Sequence, residues 1–119
     1  MLYSETMKDA KSDFFRNLIL STYLVECTLG LYQLTADGRV ELDLPDYERL
    51  SIDFDIDGNL ARNSNELVFR GIANSTVNGW IVYGSEGNPL YIGVFKQPFE
   101  IGATGDLTIV INSIEIEER

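Results

Sequence analysis

The sequence predicts a mainly β fold: an antiparallel β-sandwich, or a jelly-roll-like barrel, of about seven to eight short strands with one N-terminal α-helix. Three observations predict it. From Tyr23 onward, apolar residues recur at every second position in segment after segment, as in half-buried strands. Clusters of Gly, Asn, Asp and Pro separate those segments at nearly regular spacing. Before Tyr23, apolar residues instead fall three and four apart, as on one face of a helix. A chain of 119 residues suits one domain, 1–119, with enough apolar side chains for a core.

The helix is expected over about residues 4–21, with Met7, Ala10, Phe14, Phe15 and Leu18 forming its apolar stripe and covering one opening of the β core. Val25, Cys27, Leu29 and Leu31 then alternate with Glu26, Thr28, Gly30 and Tyr32. Asp37-Gly38 marks a turn, and Val40, Leu42 and Leu44 continue the alternation until Pro45. Leu50, Ile52, Phe54 and Ile56 read as one further strand, closed by hairpin chemistry at Asp57-Gly58-Asn59. Strands are expected at Glu66–Ile72, Val77–Tyr83, Leu90–Phe95, near Phe99–Ile101, and over Asp106–Ile116. Turns fall at Asn74-Ser75, Gly84–Pro89 and Gly102–Asp106.

The formal net charge is −10, from 19 acidic and 9 basic residues. A field of that sign repels nucleic-acid backbones and anionic membrane surfaces, so neither is an expected partner, whereas a basic protein surface is. Glu41, Asp43, Asp46, Glu48, Asp53, Asp55 and Asp57 crowd one region with only Arg49 among them. The single cysteine, Cys27, lies on an apolar strand face and reads as a small hydrophobe. Neither a signal-peptide pattern nor an apolar run of about 18 residues is present, so a soluble, cytoplasmically synthesised protein is expected.

Histidine is absent, which removes Ser-His-Asp and Cys-His catalysis and the usual zinc sites. Gly84-x-x-Gly87 precedes Asn-Pro and a strand, unlike a phosphate loop. Asp53-x-Asp55-x-Asp57-Gly58 matches the opening of a helix–loop–helix calcium loop, but its twelfth position is Ser64 where a bidentate Glu is needed. Exposed acidic side chains are the simpler reading of Asp53, Asp55 and Asp57. Trp80, Tyr83, Tyr91 and Phe95 could offer a sugar platform, yet alternation puts Trp80 and Val82 on one strand face and Ile81 and Tyr83 on the other. Core or interface packing is the more economical assignment, and no cofactor is expected.

The chain resembles a group of short bacteriophage proteins described as tail-fibre-like or virion structural proteins. Their closing pattern has a Gly-Trp strand, a glycine-rich turn, an Asn-Leu-Leu-Tyr-x-Gly strand, then Gly-Asp and a Leu-Thr-Val-Thr strand. Here Gly79-Trp80-Ile81-Val82-Tyr83, Gly87-Asn88-Pro89-Leu90-Tyr91-Ile92-Gly93 and Gly105-Asp106-Leu107-Thr108-Ile109 match it. Leu29-Gly30-Leu31-Tyr32, Tyr47-Glu48-Arg49 and Asn65-Glu66-Leu67-Val68-Phe69 resemble upstream parts of the pattern. Pro89 replaces a leucine, and Glu115–Arg119 extends past the pattern's end.

The resemblance implies a non-catalytic virion subunit of the tail-fibre or baseplate type, or one that decorates a capsid. Other capsid, tail or fibre subunits would be its partners, and a homo-oligomer is compatible with such a role. Candidate interface residues are Glu41, Asp43, Asp46, Glu48, Trp80, Tyr83 and Tyr91. The alternatives are a calcium- or glycan-binding adhesion module using Asp53, Asp55 and Asp57 with the tyrosines, and a small carboxylate-dependent hydrolase.

Overall fold

The computed structural model describes residues 16–118. A helix, α1, covers 16–23. Ten strands follow: β1 (Cys27–Thr35), β2 (Gly38–Glu41), β3 (Leu50–Ile52), β4 (Phe54–Asp57), β5 (Leu60–Asn63), β6 (Leu67–Phe69), β7 (Thr76–Tyr83), β8 (Pro89–Glu100), β9 (Leu107–Ile109) and β10 (Glu115–Glu117). The mainly β, sandwich-like class with one N-terminal helix is therefore present. The strand count is higher than expected for three physical reasons. The Leu50–Ile56 run breaks at Asp53, the Asp106–Ile116 run breaks at a turn through Asn112, and Leu60–Asn63 forms the unanticipated return arm of the Asp57-Gly58-Asn59 hairpin. In the other direction, the two segments expected at 90–95 and 99–101 are one long strand, β8.

All strand pairs are antiparallel. Five strands form the main sheet in the order β2-β1-β7-β8, with β3 on the same side of β1 as β2 but further along it. A second sheet has the order β10-β5-β4, and β6 and β9 form a two-stranded ribbon. Leu29, Leu31, Trp80 and Val82 from the main sheet meet Ala61 and Ile116 from the second and Leu67, Phe69, Leu107 and Ile109 from the ribbon in one core. Burying such side chains contributes about 1.5–3 kcal/mol each. The three sheets remain separate, which makes the arrangement a sandwich rather than a closed barrel.

Two asparagines join the layers. The chain leaves the main sheet after β3 and enters the second sheet with β4. At that crossing the Asn65 side chain accepts from the Asp53 N–H (2.8 Å) and donates to the Ser51 carbonyl (3.1 Å). It thereby replaces the ladder partners that the strand loses as it changes sheets. Asn63 is fully buried. Its amide donates to the carbonyls of Asn65 (2.9 Å) and Val110 (3.0 Å) and accepts from the Ile114 N–H (2.8 Å). It fixes the turn between β9 and β10 against β5.

The helical stripe and the first strand differ from expectation. Leu18 is exposed, whereas Leu20 is fully buried and Leu24 packs against the core, so α1 turns a different face inward at its end. Met7, Ala10, Phe14 and Phe15 lie outside the described residues. Val25 is exposed, because Glu26 adopts a φ of 54° and the strand begins only at Cys27. Cys27 is buried as expected, and burial pushes its thiol pKa up.

Candidate functional site

The sequence of β8 makes it an edge with a built-in kink. Among the described residues it pairs with β7 alone. The register runs Val82↔Tyr91, Trp80↔Gly93 and Gly79↔Val94, then resumes at Val77↔Phe99, so Phe95–Pro98 stand opposite Asn78. Pro98 has no N–H to donate to a ladder, which suits a bulge on an edge strand. The Phe95 and Phe99 rings meet edge to face across the bulge, 4.9 Å apart. Ile92 and Val94 share the outward face, and Val94 is 70% exposed. With Phe99 they form an apolar rim along the edge.

A second edge faces this one. On either side of β10, Ile114 accepts from the Asn63 N–H (3.1 Å) and the Glu118 N–H donates to Asn59 (2.9 Å), so Ile114, Ile116 and Glu118 address β5. Antiparallel alternation therefore turns the backbone groups of Glu115 away from β5. Between β8 and β10 lies an open groove of about 530 Å³. Trp80 and Ile116 line its core side, and Gly93, Val94, Ser113 and Glu115 lie along its walls. Trp80 is only 8% exposed, so the groove reaches the edge of the core itself.

Gly93 lets the indole lie there. A Cβ at this position would overlap the Trp80 ring. From the other face of the sheet, the Tyr32 hydroxyl donates to the Gly93 carbonyl (3.0 Å). The Tyr91 hydroxyl donates to the Glu118 carboxylate (3.0 Å) and ties β8 to the segment after β10. Burial, and then the bond to Glu118, push the Tyr91 pKa up to about 12.

The candidate interface residues divide into separate places. Glu41 and Tyr83 belong to a cluster on the outer face of the main sheet. Arg49 binds the Glu41 carboxylate through Nε (3.0 Å) and Nη2 (2.8 Å), while the Tyr47 hydroxyl donates to Glu41 Oε2 (2.7 Å). The Arg49 guanidinium lies 3.4 Å from the Tyr83 ring centre. Gly30 beneath them is a glycine for lack of space: a Cβ there would stand 2.6 Å from Glu41 Oε2. Burial raises the Glu41 pKa, but Arg49 and Tyr47 outweigh it and leave the carboxyl below its ordinary value.

Asp43, Asp46 and Glu48 are exposed on the connection between β2 and β3. Trp80 and Tyr91 belong to the groove, on the opposite face of the main sheet from Tyr83. The three tyrosine and tryptophan rings therefore do not form one platform. Asp53, Asp55 and Asp57 are exposed along the β3–β4 segment, and no group of three potential metal ligands gathers among the described residues.

The residues that sequence reasoning missed are Ile92, Val94 and Phe99 of the rim and Glu115 of the facing edge. Pro98 inside an otherwise strand-like run was the available signal, since it marks an edge.

No family model matches this sequence, no curated protein matches it, and no solved structure matches its fold.

Proposed function

We propose that this chain is a non-catalytic structural subunit of a bacteriophage particle, a tail-fibre or baseplate-type accessory or a capsid-decorating protein, acting through protein–protein contacts. The observation that carries the contact role is the edge of β8, where Ile92, Val94 and Phe99 expose apolar surface beside a groove that reaches Trp80. Apolar surface exposed on an edge strand favours association with another chain.

The phage assignment is supported by the sequence resemblance, whose matching residues include part of this edge. Gly79–Tyr83 lies in β7, Gly87–Gly93 forms the turn and first half of β8, and Gly105–Ile109 contains β9. The exposed carboxylates of Asp43, Asp46 and Glu48 would orient a basic neighbour and speed its arrival more than they would tighten its binding.

Mass spectrometry of particles purified from a lysate of the encoding phage tests this reading. The chain is expected at a fixed ratio to the other structural proteins, and Val94→Glu should lower that ratio while the purified variant stays folded. Recovery of the chain only as free protein, never in particles, would overturn it.

A further inference from the structure

We propose that the groove between β8 and β10 accepts an extended segment of a partner protein in which apolar side chains alternate with lysine or arginine. The inference rests on reading the chain as an assembly subunit, though not on a phage origin. It follows from the backbone first. Among the described residues, β8 pairs only with β7 and β10 only with β5, so two sheet edges flank the same groove. Alternate residues of the regularly paired Tyr91–Val94 present N–H and C=O groups to that side, and so does Glu115. One inserted strand would pair with both edges and make the five-stranded and three-stranded sheets continuous.

The side chains specify the pattern. Trp80 and Ile116 offer an apolar floor, so residues of the inserted strand that point inward should be apolar. Their neighbours then point outward, where the lining carries Glu117 and the exposed Glu115, which also binds Arg62 (2.9 Å), against Lys96, in a chain of net charge −10. Basic side chains fit there, because opposite charges on neighbouring strands attract. The same net charge disfavours a second copy of this chain as the occupant.

The probe is a synthetic hexapeptide of alternating lysine and valine with blocked ends, titrated into the full chain. The emission of Trp80, the one tryptophan, reports the groove. A saturable blue shift with Kd of about 10–100 μM is expected, a modest affinity for so small a ligand. Replacing lysine by glutamate in the peptide should weaken binding at least about tenfold, and N-methylation of alternate amides should abolish it. Glu115→Lys, which also breaks the exposed ion pair with Arg62, should weaken the lysine peptide about fivefold and favour the glutamate peptide.

The proposal fails if no saturable change occurs up to about 1 mM peptide. It fails equally if the glutamate or N-methylated peptide binds as well. A concentration-dependent dimer that shields Trp80 and excludes the peptide would assign the groove to a second copy. Binding that appears only after removal of residues 1–15 would assign it to the chain's own N-terminal segment. Either result overturns the proposal. Recovery of the chain in particles without peptide binding would remove the acceptor site alone. Peptide binding by a chain never found in particles would uphold the site and remove the phage role.

Discussion

Trp80 and Gly93 are cross-strand partners, and the indole occupies the space that a side chain at residue 93 would need. Gly93→Ala should therefore force the ring from its place or push β8 from β7. Overpacking of this kind costs about 1–3 kcal/mol. Urea unfolding followed by tryptophan emission should show a lower midpoint with little change in slope. A variant as stable as the parent would show that β8 moves freely at this point.

Asn63 has the largest expected effect of any single polar residue. Asn63→Ala removes three side-chain hydrogen bonds and leaves the buried Ile114 N–H without its partner. A loss of about 3 kcal/mol or more is expected, because unsatisfied buried groups cost more than a typical hydrogen bond contributes. Thermal unfolding measures it. Amide exchange should also quicken first at Asn112 and Ile114, which bond to Asn63.

The Glu41 cluster makes acid stability depend on one carboxylate. Its folded-state pKa lies below the ordinary value, so its contribution is complete above the unfolded pKa of about 4.3 and disappears as pH falls through the folded value. Glu41→Gln should cost about 1 kcal/mol at neutral pH, after allowance for solvent screening. The difference between variant and parent should shrink as the pH falls below about 4. Equal differences at pH 7 and at low pH would remove Glu41 as the titrating group.

Tyr91 gives the opposite sign at the alkaline end. Its hydroxyl holds its proton up to about pH 12 in the folded chain, against about 10 for an ordinary tyrosine. The corresponding stability is complete below the ordinary value and disappears as pH rises towards 12. Spectrophotometric titration should show a late-ionising tyrosine that is missing in Tyr91→Phe. Glu118→Gln should bring the same ionisation to lower pH.

Turns were legible in the sequence because their chemistry is local. Asn74, Gly87 and Gly105 all adopt positive φ within the segments read as turns. The two faces of β7 were also legible, since strict alternation places Trp80 and Val82 in the core and Ile81 and Tyr83 on the other face. Alternation does not, however, encode which sheet a strand joins. Leu50–Ile56 keeps its period while changing partners at Asp53, and only the distant Asn65 side chain shows where. Burial of Gly30 and Tyr32 on the outer face was hidden for a similar reason. It depends on side chains far along the chain, Tyr47 and Tyr83 over Gly30, with Ile81 and Tyr83 clustered beside Tyr32. The groove was invisible because it is a property of strand order, which brings β8 opposite β10.

The bulge at Phe95–Pro98 limits what the exposed margin can recruit. Regular pairing could run only over the short straight part from Tyr91 to Val94, between the register shift at Leu90 and the interruption by Lys96 and Pro98. Copies stacking margin to margin would meet that obstruction at every step, and would gather like charge as they grew. Open-ended polymerisation is thereby discouraged, while a single short guest is still admitted: the stoichiometry of attachment is written into the irregularity of one strand.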